Sequence, residues 1–237
     1  MIDVKYITYG IVTHCTLKCD GCITKSELRS TKSSFIPLEM FKRDVENASK
    51  FIRAEEFAIS GGEALQHKQI IDFLKIVKNS NIAPKTKLHT NGQLIDRQPE
   101  EFWKYIDRVV LTLYPNTPID NNYIRSRFEA KCKEHNVILD VNITNEFMVV
   151  HSTIDKTRDT QKIYDECRYA HVDLCHTIHD GKYYKCFVPV VNKIEEDGVP
   201  IEETAVREYL ENTITPLKSC YGCLGTSGPR IPHRQVA

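Results

Sequence analysis

The sequence predicts an α/β fold in which helices cover a parallel sheet. Segments rich in β-branched and aromatic residues, typical of strands, alternate five times with segments whose apolar residues recur at three- and four-residue steps, as in amphipathic helices. Consecutive parallel strands need right-handed crossovers, so the alternation indicates a sheet that is either open or curved into a partial barrel. The 237 residues, 41% of them hydrophobic, are enough to bury one full core.

Five strands are predicted between residues 4 and 144, and three of them end at a conspicuous motif. The strands are expected at 4–13, 56–60, 85–90, 108–114 and 137–144. A cysteine-rich loop follows the first, Gly-Gly-Glu follows the second and Thr-Asn-Gly follows the third. Ligands bind at the carboxyl ends of the strands in open parallel sheets and in barrels alike, so we expect the functional site at this edge.

The helices between these strands are predicted from their apolar faces. The first follows Pro37, whose fixed φ suits a first helical position, and its apolar face continues to Phe51 and Ile52. A short helix is expected near 98–106 and a longer one at about 119–135. Four apolar residues mark the helix between the second and third strands: Ile70, Phe73, Leu74 and Val77.

The alternation fades after about residue 150. Residues 174–187 predict a hairpin that turns at Asp180 and Gly181, because this pair tolerates the positive φ angles of a type I′ turn. A further helix is expected near 202–212. We therefore predict a small unit of one hairpin and one helix after the main sheet.

The composition narrows the class of partners. Lys plus Arg equals Asp plus Glu at 32 each, so no net charge attracts nucleic acid or an anionic membrane. No apolar run approaches the length of about 18 residues that a membrane span needs, and the first residues lack the pattern of a signal peptide. We expect a soluble, cytoplasmic protein that acts on a small molecule, with no nucleic-acid or membrane partner.

Nine cysteines in a chain expected in a reducing compartment indicate metal or redox chemistry rather than disulfides. Cys15, Cys19 and Cys22, the cysteine triplet, fall in one loop with the spacing C-x3-C-x2-C. Three thiolates can hold three irons of a cubane [4Fe–4S] cluster and leave the fourth iron without a protein ligand. The alternative is a zinc site completed by His14 or a distant ligand, although structural zinc favours paired C-x2-C arms.

The motif after the second strand consists of Gly61, Gly62 and Glu63. Two glycines let the backbone approach a ligand closely, and a carboxylate beside them suits a cationic amine. Taken alone, Gly-Gly at a strand-to-helix junction is equally typical of an ordinary turn.

Together, the cysteine triplet and the segment ISGGEAL resemble the radical S-adenosylmethionine (SAM) superfamily. The resemblance covers about 4–145 and implies a partial (β/α)6 TIM-like barrel, with a radical SAM core at 1–150. It also implies a [4Fe–4S] cluster on the cysteine triplet, whose open iron binds the methionine part of SAM. In this family the glycine-rich motif meets the methionine amino group, which implies that role for Gly61, Gly62 and Glu63.

Further SAM contacts follow from the same resemblance. The segments LHTNG and LTLY are similar to strand ends of the family that face SAM, which implies cofactor contacts for Thr90, Asn91 and Thr112. Arg125, or its neighbour Arg127, is a candidate for binding the SAM carboxylate, and the alternative is an arginine on a solvated helix face.

One residue of the loop departs from the family. Many members carry an aromatic residue just before the third cysteine, and this chain has Gly21 there. The departure removes no ligand, but it changes the expected packing beside the adenine of SAM.

A second cysteine set resembles the twitch domain, the short form of the SPASM extension, in which a hairpin, a helix and the following segment bind an auxiliary [4Fe–4S] cluster. The resemblance implies such a domain at 151–237. The alternative for four such cysteines is a zinc-ribbon-like site. Cys175 lies in the hairpin but outside the pattern, either as a spare ligand or as a buried thiol. The four implied ligands, the auxiliary set, are Cys167, Cys186, Cys220 and Cys223.

The resemblance implies that a reductant such as flavodoxin or ferredoxin supplies an electron, that SAM is cleaved to a 5′-deoxyadenosyl radical, and that this radical removes a hydrogen atom from the substrate. Size and cysteine layout are similar to those of twitch enzymes that oxidise aminocyclitols. We therefore expect a two-electron oxidation of a small polar, carbohydrate-like or aminocyclitol-like substrate. His151 and Arg158 are candidates for its general base.

Three rival functions remain open at this stage. One is redox-neutral epimerisation, with Cys175 as the donor of a hydrogen atom. Another is modification of a peptide. The first strand begins so early that we expect no fused leader-peptide recognition domain, which argues against this function. The last is a non-catalytic interaction module that presents Arg230, His233 and Arg234 to a partner.

Overall fold

The computed structural model describes residues 1–28 and 35–236. None of the helices in these two ranges is long and apolar enough to cross a membrane. Strands β1 to β10, in chain order, are Ile2–Val12, Ile52–Gly61, Lys85–Thr90, Arg108–Leu113, Ile138–Ile143, Glu146–Met148, His176–His179, Lys182–Tyr184, Val199–Pro200 and Arg230–Pro232. Helices α1 to α7 are Leu38–Ser49, Ile70–Ser80, Asn121–His135, Thr160–Asp165, Arg168–His171, Val188–Asn192 and Glu203–Glu211.

The main sheet has eight strands in the order β5-β4-β3-β2-β1-β7-β8-β9. The pairs from β5 to β7 are parallel, and the last two pairs are antiparallel. Strands β10 and β6 form a separate antiparallel pair. The predicted α/β fold with a largely parallel sheet is confirmed, and the sheet is open, with β5 and β9 at its edges.

One face of the central strands packs against the helices and forms the core. Ile7, Tyr9 and Ile11 alternate along β1 and are fully buried. The ring centroid of Tyr9 lies 4.8 Å from that of Phe41 on α1, at 72° between the ring planes. Each such buried side chain contributes roughly 1.5–3 kcal/mol to folding. The apolar period of the strands and of α1 therefore produces the helix-covered face that the sequence predicts.

The opposite face of the central strands is polar. The hydroxyl oxygen of Tyr6 lies 2.6 Å from Nε2 of His89, and Oγ1 of Thr8 lies 3.0 Å from Oγ of Ser60. Thr177 of β7 is in register with Thr8 and thus shares this side of the sheet. We call these five residues the polar face. Their side chains offer donors and acceptors within the fold rather than apolar surface.

Two predicted elements differ in detail from the structure. Helix α1 ends at Ser49, and Ile52 begins β2 by pairing with Ile2, so Phe51 and Ile52 do not lie on the helix as predicted. The backbone N–H of Ile2 donates to the carbonyl of Phe51, which shows that pairing with β1 fixes this boundary. The short helix expected near 98–106 is a 3-10 helix at Glu100–Tyr105.

The predicted hairpin turn is present. Asp180 and Gly181 have φ angles of +45° and +75°, as a type I′ turn requires. The backbone N–H of Gly181 donates to the carboxylate of Asp44 on α1, which is fully buried. The hairpin does not stand apart, however, because its first strand β7 pairs with β1 and extends the main sheet.

Candidate metal centres

The cysteine triplet lies in the loop that follows β1. Cys19 is buried, and Cys15 and Cys22 are half-buried. The backbone N–H of Cys22 donates to the carbonyl of Cys19 over 3.3 Å, and the N–H of Lys25 donates to the carbonyl of Cys22 over 2.9 Å. The three thiols are close enough to interact electrostatically. The structure therefore brings together the three predicted ligands.

The two glycines of the second motif hold the base of this loop. A Cβ atom on Gly61 would lie 2.2 Å from the carbonyl oxygen of Val12, and one on Gly62 would lie 2.0 Å from the carbonyl oxygen of His14. The N–H of Gly62 donates to Val12 and the N–H of Glu63 donates to His14. The two glycines thus let the end of β2 pack closely against the backbone that leads into the cysteine loop. Their contact with SAM stays a prediction.

Glu63 ties the ends of two neighbouring strands together. Its side chain is fully buried, and its carboxylate accepts hydrogen bonds from Leu65 N, Thr90 Oγ1 and Asn91 N at 2.9, 2.7 and 2.8 Å. Burial raises the pKa of Glu63, and these three donors oppose the rise. In this structure the side chains of Glu63 and Thr90 are hydrogen-bonded to each other, and their contact with SAM stays a prediction.

Asn91 connects the hydrogen bonds around Glu63 to the cysteine triplet. Its side-chain Nδ2 donates to Cys15 Sγ at 3.3 Å and to Thr16 Oγ1 at 2.9 Å. Its backbone N–H is the one that donates to Glu63. The three motifs that the sequence singled out therefore form one hydrogen-bonded unit at the carboxyl edge of the sheet.

The thiol of Cys15 is held in its neutral form without a metal. Burial, followed by the neighbouring Glu63 carboxylate, raises the pKa of Cys15 to about 12. No basic side chain of the described chain is among the groups that shift it. Such a thiol is a poor nucleophile, whereas a metal ion that coordinates it displaces the proton outright. The Cys15 thiol therefore lacks the features of an activated nucleophile, and its role as a metal ligand stays a prediction.

The four cysteines of the auxiliary set line one cavity, and their role as cluster ligands stays a prediction. Cys167 caps α5, Cys186 follows β8, and Cys220 and Cys223 lie in and after a short 3-10 helix. All four line this cavity, together with the apolar side chains of residues such as Val188. Burial raises the pKa of Cys220 to about 12 and raises that of Cys186 well above its usual value.

The spacing of the sulfur atoms bears on which metal group fits. In the described part of the chain, no three cysteine sulfurs lie within 4.8 Å of one another. Tetrahedral zinc with Zn–S bonds of about 2.3 Å brings its sulfurs about 3.8 Å apart, which is closer than the thiols of either set lie here. Thiolates are the usual ligands of iron–sulfur clusters, and a cluster on the auxiliary set stays a prediction.

The other predicted site residues lie in varied surroundings. Thr112 is in register with Asn142 near the carboxyl end of β4, and its contact with SAM stays a prediction. Arg125 donates from Nε to Glu129 at 2.7 Å on an exposed face of α3, and Arg127 pairs with Asp96. The position of Arg125 supports the solvated alternative rather than the SAM carboxylate.

His151 lies between the two cysteine sets. Its Nε2 donates to the carbonyl of Ile23, one residue after Cys22, at 2.7 Å, and its backbone forms a bridge with Cys223. Its Nδ1 lies 3.5 Å from Asn192 Nδ2. Both ring nitrogens thus have a neighbour, which indicates a linking role. A role as general base stays a prediction, as it does for Arg158, which pairs with Asp155.

Several residues near the triplet were missed by sequence reasoning. His233 is buried and its Nε2 lies 3.2 Å from Cys19 Sγ, so it is not free to present itself to a partner, as the interaction-module alternative required. Its ring stacks on Tyr114 with centroids 5.0 Å apart, and Phe147 packs beside both. β10 ends at Pro232, directly before His233, and the local sequence gives no strand pattern that would have placed this histidine beside Cys19.

The structure combines a largely parallel α/β sheet with two groups of thiols that could hold metal. Residues 9–118 match the family model for the Radical SAM superfamily, and this part of the chain is a radical SAM domain. AdoMet and a [4Fe–4S] cluster are the cofactors of that family, and the match supports both for this chain.

Two curated relatives share part of the sequence. GTP 3′,8-cyclase of Desulforamulus reducens is 27% identical over 103 residues, which are 43% of this chain and 31% of the relative. The enzyme of the same name from Microcystis aeruginosa is 22% identical over 110 residues, covering 44% and 32%. The matches therefore span about a third of the length of these relatives.

Two solved structures share the fold over nearly the whole chain. BtrN in complex with AdoMet and 2-DOIA has a TM-score of 0.59 at 14% identity, and the match covers 90% of this chain and 84% of BtrN. Native anSMEcpe with bound AdoMet has a TM-score of 0.57 at 13% identity, covering 89% and 81%. At these identities the likeness shows the fold alone.

Proposed function

We propose that the protein reductively cleaves SAM to a 5′-deoxyadenosyl radical, abstracts a hydrogen atom from a small polar substrate and oxidises that substrate by two electrons. The observation that carries this proposal is the auxiliary set of four cysteines around one cavity. Four protein ligands leave no open iron in a cubane cluster, so such a cluster suits electron transfer rather than substrate binding.

The chain's own residues hold and shield the two groups. The triplet would hold the SAM-binding [4Fe–4S] cluster and the auxiliary set a second one. When bound, the first cluster, together with SAM, would supply the abstraction of one hydrogen atom, and the second would accept one electron. With the loss of one proton, an alcohol would then have lost two hydrogens. Asn91 would orient Cys15 through its hydrogen bond, and burial of Cys19 would keep water from its sulfur.

The polar face supports a carbohydrate-like or aminocyclitol-like substrate. Its pairs, Tyr6 with His89 and Thr8 with Ser60, offer hydroxyl and imidazole groups on the sheet side away from the helices. Oγ1 of Thr177 is buried and has no hydrogen-bond partner among the described residues. An unpaired buried hydroxyl costs about 1–3 kcal/mol, which a substrate hydroxyl would offset.

The fold comparison and the sequence support the same reaction class. BtrN, whose structure contains AdoMet and 2-DOIA, is a radical SAM dehydrogenase. The cysteine layout of the chain resembles that of 2-deoxy-scyllo-inosamine dehydrogenase. A flavodoxin or ferredoxin is the reductant that we propose for the triplet cluster.

Anaerobic reconstitution tests the proposal. We expect about eight irons and eight sulfides per chain, as two cubane clusters require. Incubation with SAM, a reductant and a panel of aminocyclitols and sugars should give 5′-deoxyadenosine and a product two hydrogens lighter. Cys22→Ala should lose about half of the iron, while Cys132→Ala, a buried thiol outside both sets, should keep all of it. Stoichiometric zinc without iron would overturn the proposal.

The position of Cys175 favours redox-neutral epimerisation as a second candidate. Cys175 directly precedes β7, two residues before Thr177 of the polar face, and its thiol interacts electrostatically with Tyr6 and Lys87. Burial, followed by the charge of Asp173, raises the pKa of Cys175 to about 11, so the thiol keeps the hydrogen that it would donate. Epimerisation predicts a product of unchanged mass, solvent deuterium in that product, and loss of turnover in Cys175→Ala.

A further inference from the structure

Residues 230–236, the covering segment, lie across the cysteine triplet. Cys19 and Gln235 form an antiparallel bridge. The N–H of Asp20 donates to the carbonyl of Arg234 at 2.9 Å, and the N–H of Val236 donates to that of Lys18 at 2.7 Å. The covering segment thus adds a short strand pairing to the loop that holds the triplet.

Packing at Gly21 shows why the loop tolerates this pairing. Gly21 has a φ of +71°, and a Cβ atom there would lie 2.8 Å from Cδ1 of Ile231. Any larger residue at this position would compete with Ile231 for the same space. A Cβ atom on Gly21 would also lie 3.9 Å from Cβ of Phe147, whose ring packs against Tyr114 and His233, so this stack lies beside Gly21.

The side chain of Gln235 is oriented toward a cysteine sulfur. Its Oε1 accepts a hydrogen bond from the backbone N–H of Lys18 at 2.7 Å, which fixes the direction of the amide. The amide nitrogen then lies 3.4 Å from Cys19 Sγ and 3.2 Å from His233 Nε2. An amide nitrogen carries two hydrogens, so it can donate to the sulfur and to the imidazole together.

We propose that Gln235 is a positioning residue for Cys19 and raises the reduction potential of the cluster on the triplet. This inference rests on the proposed function, since it requires a cluster there. Reduction adds negative charge to the cluster and its thiolates, and an N–H donor stabilises the reduced form more than the oxidised one. The donor therefore makes the cluster easier to reduce by a physiological reductant.

An EPR-monitored redox titration of reconstituted Gln235→Leu tests the inference. Leucine removes the donor at similar volume, and we expect the equilibrium constant for one-electron reduction of the triplet cluster to fall about tenfold, which is about 59 mV for one electron. The auxiliary cluster should keep its potential. Arg234→Ala is the matched control, because Arg234 is exposed and pairs with Asp20 rather than with a sulfur.

A measurement on the unsubstituted protein covers the case in which the variant does not take up iron. Pulsed EPR of protein labelled with ¹⁵N-glutamine should detect a weak nitrogen coupling to the reduced triplet cluster. Absence of that coupling, or an unchanged potential in Gln235→Leu with full iron content, would overturn the inference. Failure of the unsubstituted protein to bind iron or cleave SAM would instead overturn the proposed function.

Discussion

At the scale of single residues, Glu63 organises the candidate SAM site without touching a cysteine. Its carboxylate gathers three donors from two strand ends, and one of them is the backbone of Asn91. The side chain of Asn91 then contacts Cys15. A buried carboxylate with three hydrogen bonds is rigid, so the orientation of Cys15 depends on the join between β2 and β3.

Gly62 sets how closely that join approaches the cysteine loop. In Gly62→Ala the new methyl group would overlap the backbone of His14, so the loop or β2 must move, at a cost of about 3 kcal/mol or more. We expect a lower melting temperature and loss of iron from the triplet. Gly10→Ala is the control, since its nearest heavy atom would be 3.7 Å away and its cost should stay below about 1 kcal/mol. Equal behaviour of the two variants would contradict this account.

The sequence was enough to choose the candidate ligands, but not the residues that orient them. A cysteine can be chosen as a candidate from its residue type and spacing alone, and the structure groups the thiols of each set. Gln235 and His233 act through a pairing with residues far away in the chain, and no local pattern reports which loop they meet. Arg125 had the right chemistry for an anion, but its nearest carboxylate, on Glu129, lies on the same helix.

At the scale of elements, the hairpin of β7 and β8 is part of the main sheet. Its existence and its turn residues were predictable, because a positive φ at two successive residues restricts the choice to few residue types. The position of the hairpin beside β1 could not be predicted, because the parallel pairing of Ile7 with His176 is decided by packing between distant segments. The division at residue 150 therefore stays a prediction about domains, while the sheet runs across it.

The packing of this hairpin makes the fold sensitive to acid. Burial, followed by the charge of Lys185, lowers the pKa of His176 to about 4, and its Nδ1 is hydrogen-bonded to the Tyr183 hydroxyl. An unfolded histidine has a pKa near 6.5, so the unfolded chain binds more protons between these values. Stability should therefore fall as the pH falls from about 6.5 to about 4, by roughly 1–3 kcal/mol from this residue.

Denaturant titrations across this pH window check the prediction. His176→Gln keeps a hydrogen-bonding partner for Tyr183 but cannot be protonated, so its loss of stability on acidification should be smaller than that of the unsubstituted protein. His171→Gln, at an exposed position, is the matched control and should follow the unsubstituted protein. A pH dependence in His176→Gln as steep as in the control would refute the assignment.

At the scale of the whole molecule, the two cysteine sets are joined by a small apolar cluster. Ile23, one residue after Cys22, packs in the same cluster as Cys186 and Cys223 of the auxiliary set. His151 adds a hydrogen bond to the carbonyl of Ile23 and a backbone bridge to Cys223. This short apolar link with its one hydrogen bond would suit electron transfer between the two clusters that we propose.

The last prediction separates SAM cleavage from substrate oxidation. Cys186→Ser removes one ligand of the auxiliary set and leaves the triplet with its Asn91 contact intact, so the iron content should fall from about eight to about four per chain. SAM cleavage should continue, because it needs only the triplet. The oxidised product should fall at least tenfold relative to 5′-deoxyadenosine, because the substrate radical has lost its electron acceptor. Cys175→Ala, which leaves both sets complete, should keep the two products in their original ratio. Full yield of a product two hydrogens lighter from Cys186→Ser would show that another group accepts the electron, and the auxiliary set would then have a structural role.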